Sequence, residues 1–287
     1  MKRILVTGSS GQLGKEIVRL LRMKNYDVLG IDLLESDTTN EIIDIRDRNV
    51  IKEVTKGIDA IIHTAALHGK HTNLNYPRAK FIDTNINGTN NLLLSSVENG
   101  ISKFLYTSTT SIYGTAMVND KQAVWVDEEL IPKPRDIYDI TKLTCELLCK
   151  DYFEKEGIET TVLRVSRFLP EGDNTKANHR IYRGLDEEDG AKGHQLVLEK
   201  KFNSFEIYNI SNDSPFKKED LVELFRNPKK VICKYYPEAE GFYKRNNWKF
   251  LKKIDRVYSI EKAKKDLNYQ PIKNFDTFIK EKEDCGQ

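Results

Sequence analysis

The sequence predicts an α/β fold in which helices cover both faces of a doubly wound parallel sheet, with a small C-terminal lobe beside it. Two observations carry this prediction. Apolar segments of strand length alternate with helical segments as far as Val165, as is typical of parallel sheets. The first apolar segment, Arg3–Val6, leads directly into a turn that contains Gly8, Gly11 and Gly14.

The glycine turn is spaced to bind a pyrophosphate. Gly8 can take backbone angles that other residues avoid, Gly11 lets the main chain approach a ligand, and Gly14 lets the next helix pack closely. That helix begins at about Gln12, so its free N–H groups and its positive dipole end face the same spot. We expect dinucleotide contacts from Gly8, Ser10, Gly11, Gln12, Leu13 and Gly14.

An acidic residue ends the second predicted strand, Asp27–Asp32. A carboxylate at Asp32 would accept both ribose hydroxyls of an adenosine and would repel a 2′-phosphate. The residues that follow it directly include no Arg or Lys. The sequence therefore predicts NAD rather than NADP, although an acid that only caps a helix or lies in a loop would show the same pattern.

The remaining elements follow from periodicity and from capping residues. They are a short strand within Asn40–Asp47, a helix through Val54, a strand at Asp59–Thr64, a helix from Pro77 to about Asn99, a strand at Ser102–Ser108, a loop at Tyr113–Asp136, a long helix at Tyr138–Glu156 and a strand at Glu159–Val165. Beyond Pro170 we expect Glu187–Lys200 (helix), Phe205–Ile210 (strand), Lys217–Phe225 (helix) and Ser259–Leu267 (helix). We expect a dinucleotide-binding domain at 1–166 and a small lobe at 167–287, interleaved with the end of the sheet.

Composition excludes several classes of protein. The 287 residues carry a net charge of +2, which favours neither a nucleic-acid partner nor a membrane surface. Apolar runs fall short of the roughly twenty residues of a membrane span, and Met1-Lys2-Arg3 leads straight into a strand, so we expect a cytoplasmic protein. Neither a metal site nor a disulfide framework is expected from Cys145, Cys149, Cys233 and Cys285.

Candidate chemical groups lie after the fifth predicted strand and on the long helix. Tyr138 and Lys142 stand four residues apart on one helix face. A phenol has a pKa of about 10, and a neighbouring ammonium together with a cationic nicotinamide would favour the phenolate. The hydroxyl-rich stretch Thr107–Ser111 ends a strand at the sheet edge where ligands bind. A surface Tyr beside a solvated Lys, and a Ser/Thr-rich turn, remain the alternatives.

Taken together, these segments resemble the extended short-chain dehydrogenases/reductases of the NAD-dependent epimerase/dehydratase family, which have a Rossmann-type fold. The resemblance covers roughly residues 1 to 170, with weaker matches near Arg183–His194 and Ser259–Pro271. The matching motifs are Gly8/Gly11/Gly14, Asp32, Asp44-Ile45, His63-Thr64-Ala65-Ala66, Asn85 with Gly88-Thr89, Ser108-Thr109 before Tyr113-Gly114, and Tyr138-Asp139-Ile140-Thr141-Lys142.

The resemblance implies a role for each matching residue. Thr109 takes the place of the catalytic Ser/Thr, Tyr138 that of the base and Lys142 that of its partner, in an oxidation that sends hydride from a secondary alcohol to nicotinamide. It also implies a homodimer built from the helices within Pro77–Asn99 and Tyr138–Glu156. Further implied cofactor contacts are Asp44, Ile45, Ala65, Ala66, Asn85, Thr107, Tyr138, Lys142 and Val165.

Departures from the family pattern concern the substrate. Arg167 stands where nucleotide-sugar enzymes have an Asn, and only the dozen residues Glu171–Tyr182 stand before Arg183 in place of the family's longer segment. This short lobe resembles that of uronate dehydrogenases. Guanidinium groups suit a carboxylate or phosphate, so we expect a small sugar-like anion bound by Thr109, Thr110, Arg167 and Arg183, with Arg180 nearby. Structural ion pairs would be the alternative role for these arginines.

The sequence therefore predicts an NAD-dependent dehydrogenase. A nucleotide-sugar 4-epimerase that holds its NAD tightly is the nearest alternative, and an NAD-sensing binding protein without turnover is a second one. Thr110-Ser111 stands where 4,6-dehydratases of the family carry Asp-Glu, which disfavours that reaction.

Overall fold

A seven-stranded parallel sheet forms the centre of the computed structural model, which describes residues 2–168 and 172–285. The strand order is β3-β2-β1-β4-β5-β7-β8, and a separate parallel pair joins β6 to β9. The strands are β1 (Arg3–Thr7), β2 (Asp27–Asp32), β3 (Glu41–Ile42), β4 (Ala60–His63), β5 (Lys103–Thr109), β6 (Val124–Val126), β7 (Glu159–Val165), β8 (Glu206–Ile210) and β9 (Arg256–Tyr258). This is the predicted Rossmann-type α/β fold.

Helices connect the strands and then form most of the C-terminal lobe. The helices are α1 (Gln12–Met23), α2 (Arg48–Val54), α3 (Gly69–Asn73), α4 (Arg78–Phe81), α5 (Gly88–Glu98), α6 (Ile137–Glu156), α7 (Asp173–Arg180), α8 (Glu187–Glu199), α9 (Leu221–Arg226), α10 (Pro228–Tyr235), α11 (Ala239–Arg245), α12 (Glu261–Leu267) and α13 (Phe275–Cys285). Within the described part of the chain, none of them is long and apolar enough to cross a membrane.

Alternation along β1 explains the two layers of helices. Side chains of successive strand residues point to opposite faces, so Ile4 packs in one buried cluster with Ile17 of α1, and Leu5 packs in another with Leu92 of α5. Cys145 of α6 belongs to the second cluster. Both faces of the strand are therefore buried, as its continuous apolar sequence predicts.

The structure departs from the predicted elements in three places. The helix predicted from Pro77 is α4 and α5 joined by a wide π-turn at Ile82–Asn87. The loop predicted at Tyr113–Asp136 contains β6, which pairs with the distant β9. Helices α3, α7, α10, α11 and α13 were not predicted, since their sequences are polar or interrupted.

The predicted division at residue 166 stays a prediction. β8 joins the main sheet beside β7, and α8 contributes Val197 to the same buried cluster as α1. Met1, Pro170 and Glu171 lie outside the described residues, as does the side chain of Cys285.

A buried ion pair links α6 to the sheet. The Glu146 carboxylate accepts from Arg164 Nη2 at 2.7 Å and from Ser108 Oγ at 2.5 Å. Arg164 also donates to the Tyr113 hydroxyl at 3.0 Å. All of these donors are satisfied inside the protein, so the pair holds three segments together.

Glu146→Ala should lower the free energy of unfolding by about 3–5 kcal/mol, because it leaves the Arg164 guanidinium buried without its partner. Urea denaturation measures the change. The control is Glu154→Ala, which removes an exposed partner of Lys150 on the same helix and should cost less than about 1 kcal/mol. Equal losses for the two variants would contradict this account of the pair.

Candidate active site

A cleft of about 1280 Å³ opens at the carboxyl ends of the sheet strands. Ligands of doubly wound sheets bind at this edge. One end of the cleft is lined by the glycine turn and Asp32, the middle by Thr107–Ser111, Tyr138 and Lys142, and the far end by Arg167, Arg183, Arg256 and Tyr258. The cleft therefore joins the predicted cofactor residues to the predicted catalytic ones.

Two positions of the turn require glycine because a Cβ atom there would overlap neighbouring atoms. Gly8 has a φ of +74°, and a Cβ there would lie 2.6 Å from Thr64 Oγ1. A Cβ on Gly14 would lie 2.0 Å from the Gly8 carbonyl oxygen. α1 begins at Gln12, and its preceding residue, Gly11, supplies no side-chain cap. The first N–H groups of the helix are thus left for an anion, which fits the pyrophosphate of NAD.

Asp32 is held beside the turn by backbone donors. Its carboxylate accepts from the Ser10 N–H at 3.0 Å and from the Leu34 N–H at 3.1 Å. The Ser10 hydroxyl donates to the Leu34 carbonyl oxygen at 2.5 Å. Asp32 therefore stands at the end of β2, in the cleft wall, where the NAD hypothesis requires an acid.

Two predicted cofactor contacts are already engaged within the chain. Arg46 donates to both carboxylate oxygens of Asp44 at 2.5–3.0 Å, which holds the pKa of Asp44 below its usual value. Asn85 is buried, and its amide bonds Leu67 main-chain atoms and the Thr141 hydroxyl at 2.8–2.9 Å. Asn85 thus holds the loop after β4 in place and does not line the cleft. Asp44 does line the cleft.

The other predicted cofactor residues do line the cleft. Ala65, Ala66, Ile45, Thr107 and Val165 all form parts of its wall, as do Gln12 and Leu13. Thr107 is fixed by a residue that sequence reasoning did not assign: its hydroxyl bonds His194 Nε2 at 2.8 Å, while His194 Nδ1 donates to the Gly190 carbonyl oxygen. Burial lowers the pKa of His194 to about 4, so it is a neutral acceptor.

Thr109 and Tyr138 meet where β5 ends beside the start of α6. Thr109 is the last residue of β5. Asp136 caps α6 by accepting from the Asp139 N–H at 2.9 Å, so Tyr138 is the second residue of the helix. The Thr109 hydroxyl hydrogen-bonds the Tyr138 phenol. Both side chains lie in the cleft wall.

In the protein without its cofactor, the Tyr138 phenol is not predisposed to ionise. Burial raises the pKa of its phenol to about 12, and the Thr109 hydrogen bond opposes this rise only in part. The Lys142 ammonium instead donates to the Thr107 carbonyl oxygen at 2.5 Å. Burial also lowers the pKa of Lys142, to about 8. The removal of both side chains from water therefore affects their pKa values more than their closeness on one helix face does.

The two arginines predicted at the substrate end share one wall. The Arg167 N–H donates to the Arg183 carbonyl oxygen at 3.3 Å, so the two residues lie side by side. The Arg183 guanidinium donates to His179 Nε2 at 2.9 Å and forms no ion pair among the residues described, although its charge contributes, after that of Arg256, to lowering the pKa of the Asp255 carboxyl. Arg180 instead pairs with Asp186 at 2.5 Å and is absent from the cleft lining. Arg180 therefore has a structural role, as one member of an ion pair.

Arg256 and Tyr258 of β9 are substrate-end residues that the sequence did not reveal. Arg256 is held by Asp255 at 2.6 Å, and one of its amino groups lies 3.2 Å from Met117 Sδ. These residues reach the cleft only because β9 pairs with β6. No local sequence pattern predicts that pairing. Thr110 lies in the cleft wall as predicted, and the described residues include no cluster able to hold a metal ion.

Comparison with known proteins identifies the family. The model of the NAD dependent epimerase/dehydratase family matches residues 4–187. The chain belongs to this family. Its cofactor is NAD, and the glycine turn and Asp32 fit that cofactor.

Individual relatives have different activities. A 3 beta-hydroxysteroid dehydrogenase/Delta 5-->4-isomerase of Mycobacterium tuberculosis is 31% identical over 208 residues, which cover 68% of this chain and 53% of that protein. The uronate dehydrogenase of Pseudomonas syringae pv. tomato is 23% identical over 180 residues, 61% of this chain and 62% of that protein. The chain thus matches only about half to two thirds of these two relatives.

Solved structures show the same fold over nearly the whole chain. A short-chain dehydrogenase/reductase superfamily protein from Agrobacterium tumefaciens with bound NAD has a TM-score of 0.75 at 18% identity, covering 97% of this chain and 95% of the other. UDP-N-acetylglucosamine 4-epimerase from Bacillus cereus has a TM-score of 0.71 at 23% identity, covering 98% and 97%.

Gly14→Ala should weaken NAD binding by tenfold or more, about 1.4 kcal/mol, because the new methyl group must displace the Gly8 carbonyl from the turn. Isothermal titration calorimetry with NAD measures the change. The control is Gly172→Ala, since a Cβ there meets no atom of the described residues within 4 Å. Unaltered NAD affinity in the Gly14 variant would remove the turn from the cofactor site.

Lys142 should make stability depend on pH. Its pKa in the folded protein is about 8, below the ordinary 10.5, so between these values the unfolded chain binds the proton that the folded chain has lost. Stability should therefore rise with pH above 8, by at most about 1.4 kcal/mol per pH unit. Urea unfolding of Lys142→Met should lack this rise. Parallel pH profiles for the variant and the wild type would contradict it.

Proposed function

We propose that this chain is an NAD-dependent dehydrogenase that oxidises a secondary hydroxyl of a small, anionic, sugar-like substrate. The observation that carries the proposal is one cleft that holds Thr109, Tyr138 and Lys142 together with the Arg183 cation, which forms no ion pair among the described residues. A charged guanidinium in a cleft wall suits a carboxylate or phosphate.

The chain's residues have separate tasks in this reaction. Thr109 holds the reacting hydroxyl, which places it within reach of the Tyr138 phenol oxygen. Tyr138 takes the hydroxyl proton, and its high pKa predicts faster oxidation at alkaline pH. When bound, NAD supplies the hydride acceptor and a positive charge that favours the phenolate. Lys142 is held by the Thr107 carbonyl oxygen, one helical turn from Tyr138, and its positive charge also favours the phenolate.

Two other functions compete with this one. A nucleotide-sugar 4-epimerase would use the same three residues, and NAD that stays bound through gel filtration would favour it. An NAD-sensing protein would need no catalytic hydroxyl and no base, so the presence of Thr109 and Tyr138 in one cleft argues against it. A cytoplasmic location stays a prediction.

The deciding experiment follows absorbance at 340 nm with NAD and a panel of free uronic acids, neutral aldoses and nucleotide sugars. We expect NADH from a free sugar acid, and Tyr138→Phe should reduce the rate by at least about a hundredfold while NAD binding persists. Conversion of a nucleotide sugar to its epimer without net NADH would replace the dehydrogenase proposal by the epimerase.

Arg183→Gln tests whether the substrate is an anion. It should raise KM for the sugar acid by about tenfold to a hundredfold, which corresponds to the free energy of one charge-assisted hydrogen bond. The KM of a neutral aldose of the same ring should be unchanged. A similar rise for both substrates would mean that Arg183 only supports the wall.

We also propose a homodimer built on α5 and α6. Ile140 and Leu147 stand seven residues apart on one face of α6, and both are exposed, Leu147 by 61%. Val97 of α5 and Ile82 before it are exposed as well. Apolar side chains grouped in this way on neighbouring helices are typical of an interface.

Leu147→Glu should convert the dimer to a monomer in light scattering, because a carboxylate would be buried without a partner in the interface. The control is Val222→Glu, an exposed apolar position on α9 that lies outside the proposed interface. A wild-type monomer would overturn the proposal.

A further inference from the structure

Lys142 is a buried cation with unusual support. Its side chain is 3% exposed, and it makes no ion pair among the described residues. Its ammonium donates to the Thr107 carbonyl oxygen and lies 4.2 Å from the centre of the Tyr106 ring. The ring is itself fully buried in β5. A carbonyl dipole and an aromatic face thus take the place of a carboxylate.

Other titratable groups near Lys142 form no ion pair with it, although burial lowers its pKa and the Glu146 charge opposes that change in part. His63 on β4 is neutral, since burial and the Lys142 charge lower its pKa to about 3. Burial raises the pKa values of the Cys145 and Cys149 thiols, which therefore stay protonated. Glu146 lies one turn further along α6, but its carboxylate is engaged by Arg164 and Ser108.

The aromatic ring of Tyr106, rather than its hydroxyl, makes the contact with the ammonium. The hydroxyl has no hydrogen-bond partner among the described residues, although the Cys145 thiol lies nearby. Ring and ammonium are both removed from water, and cation–π attraction is strongest under that condition. Phenylalanine could therefore replace Tyr106 without loss of this attraction, whereas leucine could not.

We propose that Tyr106 is a positioning residue whose ring keeps the Lys142 ammonium charged and in place, one helical turn along α6 from Tyr138. The effect of Tyr106 on turnover rests on the proposed function, because it requires Tyr138 to exchange a proton with substrate. The contribution to the charge of Lys142 does not, since it can be measured in the resting protein. Loss of the ring should make Lys142 easier to deprotonate and should shift the pH dependence of oxidation.

The test is a titration of lysine side chains labelled with carbon-13 at Cε, followed by NMR. The Lys142 resonance is identified by its absence in Lys142→Met. We expect an unchanged midpoint in Tyr106→Phe and a midpoint about one pH unit lower in Tyr106→Leu. Equal midpoints in the wild type and both variants, or an equal shift in both, would overturn the proposal.

A graded series guards against misfolding of the leucine variant. Phenylalanine and trifluorophenylalanine incorporated at position 106 have nearly the same shape, but fluorine withdraws charge from the ring face. The midpoint should fall with fluorination, and an absence of change would contradict a cation–π role. If the wild type titrates as expected and reduces no NAD with any substrate, the proposed function fails and the assignment of Tyr106 stands.

Where turnover is found, the pH profile of kcat/KM adds a second readout. Its limbs should coincide for the wild type and Tyr106→Phe and should be displaced for Tyr106→Leu. A uniform loss of rate with no displacement would indicate a structural role only. KM for the substrate should change little, because Tyr106 lies behind Lys142 and outside the cleft lining.

Discussion

The ion pair between Glu146 and Arg164 is the interaction on which the geometry of the site depends. Glu146 lies one turn after Lys142 on α6, and its carboxylate is bonded by Ser108, the residue before Thr109. Arg164 extends the network through Tyr113 to Asn209 on β8, at 3.0 and 2.9 Å. Side chains with several satisfied partners in a low-dielectric interior have little freedom to shift. Helix α6 and the end of β5 are therefore held in fixed register.

Desolvation sets the charges of the groups inside that frame. Burial moves the pKa of Tyr138 up and the pKa of Lys142 down, so each group is biased toward its neutral form. His63 and His194 are neutral for the same reason. Full charge is found instead on the arginines of the far wall. The cleft thus combines the buried Tyr138 and Lys142 side chains with a cationic outer end.

Local patterns predicted the features that a short segment determines. The glycine turn, Asp32 and the Tyr138–Lys142 spacing each lie within one turn, strand or helix, and the sheet edge brings them together in any fold of this class. The sequence could not predict that Arg46 occupies the Asp44 carboxylate, or that Asn85 serves the loop after β4. Nor could it predict how strongly burial raises the pKa of Tyr138 in the protein without its cofactor. Each of these depends on neighbours from other elements, and none leaves a periodic signal.

The pairing of β6 with β9 has a consequence for how the protein is made. β6 lies in the first half of the chain and β9 near its end, so Arg256 and Tyr258 can join the cleft only after most of the chain has been synthesised. Contacts between distant segments also form later than local ones because closing long loops costs entropy. The glycine turn and Asp32 at the cofactor end of the cleft therefore need no residue from β9, whereas the substrate end stays incomplete until β9 has paired with β6.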